Sequence, residues 1–311
     1  MSKLAKDPGA SQELIELIQR VARIRAFAID ELGLASSTNY TRYVTLDKGY
    51  VADVVQACAS DSFTRHYWKY PVVGALPYKG FYEKADAERE ARRLKTAGLD
   101  VLVRSVDAFS SLRYFTDPLY SFMTEYDEGD LAELIIHESA HAALFIRGAD
   151  QFNEEFATFI GRVGTEQYLT AYYGQDSALL AEREERRADG EVFVAFLKET
   201  ARLLDLVYTD KSISSADKAI QKSKIIAERA RIFSDTSADL FKQDQYGTFD
   251  MATINNAYID LYRLYEEDLS LYYSWFEKKA ESSIRNLVSS LTELSKGSGK
   301  DIKMAMKEQL H

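Results

Sequence analysis

The amino-acid sequence predicts a mainly helical α+β chain with one small sheet and a C-terminal helical bundle. Three observations carry that expectation. Only 15 glycines and 4 prolines occur in 311 residues, too few for long loops. Apolar residues recur near the 3.6-residue helical period over most of the chain. One interval, residues 70–106, interrupts that pattern with Pro71, Gly74, Pro77 and Gly80 set among Val and Tyr.

The elements follow in order. Residues 11–33 read as a helix: Leu14, Ile15, Ile18, Val21, Ala22, Ile24, Phe27 and Ile29 fall near one period, and Gly33 ends it. Residues 45–60 read as a second, shorter helix. Within it lies Cys58, in the apolar stretch VVQACA, as a buried inert thiol. The segment Tyr70 to Tyr82 reads as extended and strand-containing. Residues 83–97, EKADAEREARRLKTA, form a charged surface helix that Gly98 terminates. Residues 99–106, LDVLVRSV, read as a strand, completing a strand–helix–strand unit. An aromatic connector, Phe109 to Met123, leads to a helix over 129–147, stopped by Gly148. Another helix runs from near Phe152 to about Tyr172. Beyond it the chain reads as helix over 177–208, 214–242 and 249–295, with Glu, Arg and Lys on solvated faces. The tail from Ser295 to His311 is polar and expected to be loosely held. A division of the chain into 1–172 and 173–311 follows from this order.

Composition narrows the function classes. Hydrophobic residues make up 46% and charged residues 28%, an ordinary globular balance. The 39 Lys and Arg stand against 49 Asp and Glu, a net charge of −10, which ranks nucleic-acid binding low. No apolar run reaches the length of a membrane span. A single cysteine excludes an internal disulfide and a Cys-rich metal site. The first nine residues, MSKLAKDPG, hold no apolar signal core, so no export signal is expected in the sequence as written.

The chemistry concentrates in the helix over 129–147. Its stretch His137-Glu138-Ser139-Ala140-His141 places two histidines four residues apart, on one face. Their nitrogens can converge on one divalent ion at the usual zinc–imidazole distance of roughly 2.0–2.1 Å. The helix is apolar nearly all round, which predicts burial. Buried imidazoles and a carboxylate without partners would be costly, and a cation removes that cost. Glu138 sits about 100° round the helix, able to serve as general base to an activated water without ligating the metal. Three protein ligands leave one position open, the pattern of a catalytic zinc site. The third ligand is expected from Asn153-Glu154-Glu155, which opens the next helix after the short turn Gly148-Ala149-Asp150-Gln151. Glu154 can reach back to the histidine pair, and Glu155 points about 100° away. Asn153 and Thr158 flank Glu154 and are candidates to hold the ligands in orientation. His66 and His311 have no partner at ligand spacing.

The histidine pair with the downstream Asn-Glu is similar to the gluzincin peptidases. More closely, the chain resembles a bacterial family of HExxH-type aminopeptidases. The stretches that carry the resemblance span nearly the whole chain. They are Ile24-Arg25-Ala26-Phe27-Ala28, Pro71-Val72-Val73-Gly74 with Tyr78-Lys79-Gly80-Phe81, and Ala108-Phe109-Ser110-Ser111-Leu112. Asp117-Pro118-Leu119, the HESAH helix, Phe152 to Phe159 and Asn255-Asn256-Ala257 complete the set. The resemblance implies a zincin-like catalytic core, one zinc ion held by His137, His141 and Glu154, Glu138 as base, and a peptide or protein substrate. Two positions depart from that family, which usually has Tyr where this chain has Phe109 and Asp where it has Thr116. Family members often carry an export or lipid-anchor signal, which makes an envelope location an expectation for a form with a leader.

Two parts of the machinery have no such signature. Zinc aminopeptidases of this general type hold the substrate amine with a carboxylate on a glycine-rich strand. The nearest candidate, Gly74-Ala75-Leu76-Pro77-Tyr78, contains none. Stabilising the oxyanion of peptide hydrolysis needs a donor. Tyr258, Tyr262 and Tyr265 follow Asn255-Asn256-Ala257 at helical spacing, and Tyr265 is the preferred donor; the competing expectation is that this stripe simply packs the bundle. The alternative to an active zinc peptidase is a catalytically inactive zinc-binding module that recognises peptides or partners.

Overall fold

A computed structural model describes residues 9–36, 38–70, 74–107, 117–264 and 269–310. Its helices are α1 (Gln12–Asp30), α2 (Lys84–Thr96), α3 (Glu128–Ala143), α4 (Asp150–Tyr173), α5 (Ala178–Thr209), α6 (Ser215–Leu240), α7 (Asp244–Gly247), α8 (Asn256–Leu264), α9 (Ser270–Lys279), α10 (Ile284–Ser298) and α11 (Ile302–Leu310). The strands are β1 (Tyr43–Val44), β2 (Ala52–Ala59), β3 (Trp68–Tyr70), β4 (Gly74–Leu76), β5 (Tyr78–Phe81), β6 (Leu99–Val106) and β7 (Leu119–Tyr120). The expected mainly helical α+β class is what the chain adopts. No helix among the described residues is long and apolar enough to cross a membrane.

The chain groups into two compact units, each built from segments distant in sequence. The first comprises Met1–Gly49, Ser110–Ala181 and Glu267–His311; the second comprises Tyr50–Phe109 and Glu182–Glu266.

In the first unit α1 packs on α3 and α4, with α9 against α4 and α10 and α11 against α9. Ser11 starts α1 by accepting a hydrogen bond from the Leu14 N–H (3.3 Å), the expected N-cap. Leu17, Val21 and Ile24 of α1, Ile135 and Ile136 of α3, and Phe156 and Ile160 of α4 are fully buried. Phe152 and Phe159 of α4 lie against Tyr272 of α9. The short parallel pair β1–β7 matches Tyr43 with Leu119 and Val44 with Tyr120. A 3-10 turn over Ser121–Glu125 then delivers the chain to α3.

In the second unit β2 is the middle strand of an antiparallel sheet ordered β5-β2-β6. The helix expected over 45–60 is therefore corrected to a strand. Val55 and Ala57 pack with Ala87, Ala91 and Leu94 of α2. The alternate residues Val54, Gln56 and Cys58 are buried as well, and α8 packs on the same strand. A strand covered on both faces loses its polar–apolar alternation, so its sequence cannot be told from a buried helix by period alone. Cys58 is fully buried, and burial pushes its thiol up to about 12, in keeping with an inert side chain. The extended segments β4 and β5, the helix α2 and the strand β6 fall where the sequence puts them, and residues 71–73 lie outside the described residues.

Two further expectations are corrected. The continuous helix over 249–295 is broken into α8, α9 and α10. Glu281 and Ser282 turn the chain between α9 and α10 with φ of 52° and 55°, and Ser283 caps α10. Non-glycine residues with positive φ leave no compositional mark, so the period runs on through the break. The tail is not loose: Ile302 and Met306 of α11 are fully buried, and Lys303 pairs with the buried Glu155 at 2.7 Å. An amphipathic nine-residue helix with two buried anchors reads as polar when only composition is weighed.

Candidate metal centre

The site lies wholly in the first unit and begins with the way α3 starts and stops. Asp127 caps α3 by accepting from the Asp130 N–H (2.7 Å). One residue on, the buried Glu128 carboxylate accepts from Arg20 (2.7 Å), Arg23 (2.6 Å) and the Tyr168 hydroxyl of α4. The helix ends at Ala143, four residues earlier than its apolar run suggests, because Leu144 turns extended (ψ 124°). Asn153 fixes that exit. Its buried side chain accepts from the Ile146 N–H and donates to the Ile146 carbonyl, both at 2.8 Å. Gly148, with φ of 80°, completes the turn into α4.

The result is an antiparallel α3–α4 pair in a definite register. Glu154 opposes His141, Gly161 opposes His137 and Glu133, and Tyr168 opposes Glu128. Two glycines permit the close approach. A Cβ on Gly161 would stand 3.3 Å from His137 Cβ, and one on Gly164 would stand 2.8 Å from Leu32 Cδ1 and 2.9 Å from Ile136 Cγ2.

His137, His141 and Glu154 form a group that can hold a metal ion, one ligand atom from each lying within 4.8 Å of the others. His141 Nε2 stands 3.6 Å from Glu154 Oε1, and His137 Nε2 stands 3.9 Å from Glu154 Oε2. The two imidazole rings meet edge-on, 4.8 Å between centroids. Donors around a tetrahedral zinc at about 2.05 Å are about 3.3 Å apart, so small side-chain rotations bring these atoms to ligand distance. Two imidazoles with one carboxylate is also a donor set that zinc accepts. Burial, and then the neighbouring His141, push His137 down to about 4, leaving its ring neutral and its lone pair available at neutral pH. Glu154 is held ionised: burial alone would raise it, but the hydrogen bond and charge from His141 bring it down. Glu155 turns away to Lys303 and Gln151.

The face that carries this group is less buried than the sequence suggests. The His137 and His141 side chains are 24% and 14% exposed, and Glu154 is 56% exposed. The buried face of α3 belongs instead to Leu131, Ala132, Ile135, Ile136 and Ala140. The donor geometry, rather than the cost of burial, therefore makes the case for a metal. Half-exposure also leaves the group open on one side.

Glu138 lies beside the triad. Burial pushes its carboxyl up to about 7, and the charges of Asp117 and Glu154 push the same way against the pull of His141. A carboxyl poised near neutrality suits proton transfer in both directions. Ser139 is occupied elsewhere, donating to the Ile135 carbonyl (2.7 Å) as helical serines do.

The remaining sequence candidates fall as follows. Asn153 clamps the backbone of the α3–α4 turn. Thr158 is half-buried one turn beyond Glu154. Tyr265 lies outside the described residues, as do Phe109 and Thr116. Its neighbours Tyr258 and Tyr262 pack in the aromatic core of the second unit, with Phe193 and Phe249.

Two residues near Glu138 carry no motif. Tyr40 is buried with φ of 58°, and its N–H donates to the Asp117 carbonyl at 2.6 Å. The charges of Glu138 and Asp117 both act on the Tyr40 phenol, which burial holds well above its ordinary range. Neither residue sits on a helix or strand, so no periodicity points to it. The sole sequence signal is the pair Asp117-Pro118.

Over residues 1–305 the chain matches the family described as "Putative aminopeptidase", and it belongs to that family. Comparison with curated proteins finds no match, and comparison with solved structures finds none.

Proposed function

We propose that this member of the "Putative aminopeptidase" family is a zinc-dependent metallopeptidase. The observation that carries the reading is the convergence of His137, His141 and Glu154 beside Glu138, on one antiparallel helix pair. His137, His141 and Glu154 would hold one zinc ion. A zinc ion bound there supplies Lewis acidity, which acidifies water and polarises a peptide carbonyl. Glu138 takes the proton from the attacking water and later passes it to the departing amine. Its half-buried setting keeps the carboxyl able to do both. Glu154 contributes negative charge at the open rim of the group, and the Asn153 clamp holds the start of α4 where Glu154 can reach the histidines. Thr158, one turn beyond Glu154, would help hold a ligand in orientation. Tyr265, the oxyanion donor that the sequence suggests, lies outside the described residues. The substrate is a peptide or a protein segment.

Two measurements test the proposal together. Protein purified without chelator should contain about one zinc per chain, and His141→Ala should lose it. A peptide-library digest should show cleavage by the native protein and none by a zinc-loaded Glu138→Gln variant. Zinc without cleavage of any library member would favour the inactive binding module, and absence of zinc would remove both readings.

A further inference from the structure

Two neighbouring carboxylates in the first turn of α4 face opposite ways. Glu154 is 56% exposed and faces His141 and His137 at 3.6 and 3.9 Å. Glu155, one residue on, is 1% exposed and faces inward, where Lys303 of α11 supplies its cation 2.7 Å away. Successive residues on a helix stand about 100° apart, so the setting of this one turn about its axis fixes both directions together. The turn has little support from its own cap: Ala149, at the N-cap position, offers no side-chain acceptor to the first N–H groups. It is held from outside instead. Asn153 ties it back to Ile146, and the Tyr272 hydroxyl of α9 donates to the Phe152 carbonyl at 3.2 Å. Gln151 and Lys303 each donate to Glu155 Oε1 at 2.9 Å.

The last helix delivers that lysine. Ile302 and Met306 of α11 are fully buried and Met304 is exposed, so Lys303 lies at the border of the docked face. α11 packs on α9 and α10, and α9 packs on α4. Lys303 lies 148 residues downstream of Glu155, and no motif includes it. A buried carboxylate that loses its cation must draw in water or move. Either change disturbs the first turn of α4, and Glu154 shifts with it.

We propose that Lys303 is a positioning residue for the metal centre, and that docking of α11 is linked to occupancy of the His137, His141 and Glu154 group by a metal ion. The inference rests on the zinc reading above and goes beyond it: the C-terminal helix, acting through Glu155, sets how tightly the ion is held. Such linkage runs both ways. A docked α11 tightens metal binding, and a bound ion makes α11 harder to detach.

The test uses the full chain, zinc alone as the ligand and a competing chelator, at a temperature well below the melting point of each protein. Lys303→Met should weaken zinc affinity about tenfold or more, as loss of a group that orients metal ligands does, while the charge-keeping Lys303→Arg should stay within about threefold of the native protein. Cobalt-loaded Lys303→Met should also show altered visible absorption, because a shifted Glu154 changes the ligand field. A second arm needs no variant to fold: in the native protein, zinc should slow hydrogen exchange in Ile302–Leu310 about fivefold or more, the low end of typical coupling. If Lys303→Met melts earlier yet holds zinc as tightly as the native protein, the ion pair is structural only and the proposal is overturned. Exchange in α11 that ignores zinc overturns it as well. Neither of those outcomes touches the zinc reading, which falls, and this proposal with it, only if the native protein binds no zinc. Linkage without cleavage of any peptide supports the role of Lys303 and removes the peptidase.

Discussion

The two ends of helix α3 treat a carboxylate in opposite ways. At the N-terminal end Glu128 is surrounded by Arg20, Arg23 and Tyr168. Burial would raise its carboxyl, but those partners more than compensate and hold it below its ordinary value. Ten residues on, Glu138 has no such partners among the described residues, and burial first, then the charges of Asp117 and Glu154 against the pull of His141, leaves it near 7. The helix, the neighbouring helix and the solvent are common to both. The difference, among the described residues, is the supply of cations. A carboxylate that ties helices together is saturated with partners, and the one proposed here to exchange a proton has none among the described residues.

Substitutions at each end should separate stability from activity. The largest expected effect is at the deprived end: Glu138→Gln should lower peptide turnover about a thousandfold. Its urea midpoint should stay close to that of the native protein, since no paired charge is lost. At the saturated end, Glu128→Gln should cost about 3 kcal/mol by leaving two arginines facing a neutral amide. That loss is read by urea unfolding, with zinc content unchanged in the folded fraction. If Glu128→Gln proved neutral in stability, the contrast between the two ends would collapse.

Acid titration sharpens the same contrast. A carboxyl whose folded value is depressed contributes stability above its unfolded value near ~4.3, and that stability is lost as pH falls through the folded value. The native protein should therefore lose stability below that point, and Glu128→Gln should flatten the loss. The check is a set of melts between neutral pH and pH 3.

The smallest effects concern the contact that unites both ends with α4. Gly164→Ala must displace Leu32 and Ile136, an overpacking cost of about 2 kcal/mol that a helix-propensity gain of about 1 kcal/mol partly offsets. A net loss near 1 kcal/mol is expected by thermal melt. Gly161→Ala meets only His137 Cβ and the Glu133 side chain at 3.3–3.4 Å, so its stability should hardly change. Its signature should be weaker zinc retention, by up to about tenfold against a competing chelator, as His137 is pushed off line.

Much of the candidate site was legible because it is local. HESAH lies on one helix, and the spacing of four residues aligns its histidines wherever that helix packs. The offset of Asn153-Glu154 after a short turn selects Glu154 as the residue able to return to them, with Glu155 pointing elsewhere; in the structure Glu155 indeed faces Lys303. Asp117 and Tyr40 were not legible in this way. They are joined to each other by a backbone hydrogen bond between segments some 77 residues apart in sequence, and neither lies on a helix or strand. The strand β2 escaped because both its faces are covered, and the turn at Glu281 and Ser282 because its residues carry no turn chemistry.

By itself, then, the sequence determined the mainly helical class, the strand–helix–strand of β5, α2 and β6, the two histidines with the adjacent Glu138, and the short hop to Glu154. Each follows from neighbours a few residues apart, where backbone geometry converts spacing directly into position. Tertiary structure decided the rest. It set which face of α3 stays open, brought α11 onto Glu155, and interleaved distant segments into each of the two units. It also placed Arg20 and Arg23 on Glu128 and, among the described residues, no arginine or lysine on Glu138. The charge environment of a side chain is a sum over elements far apart in the chain, and no local pattern contains that sum.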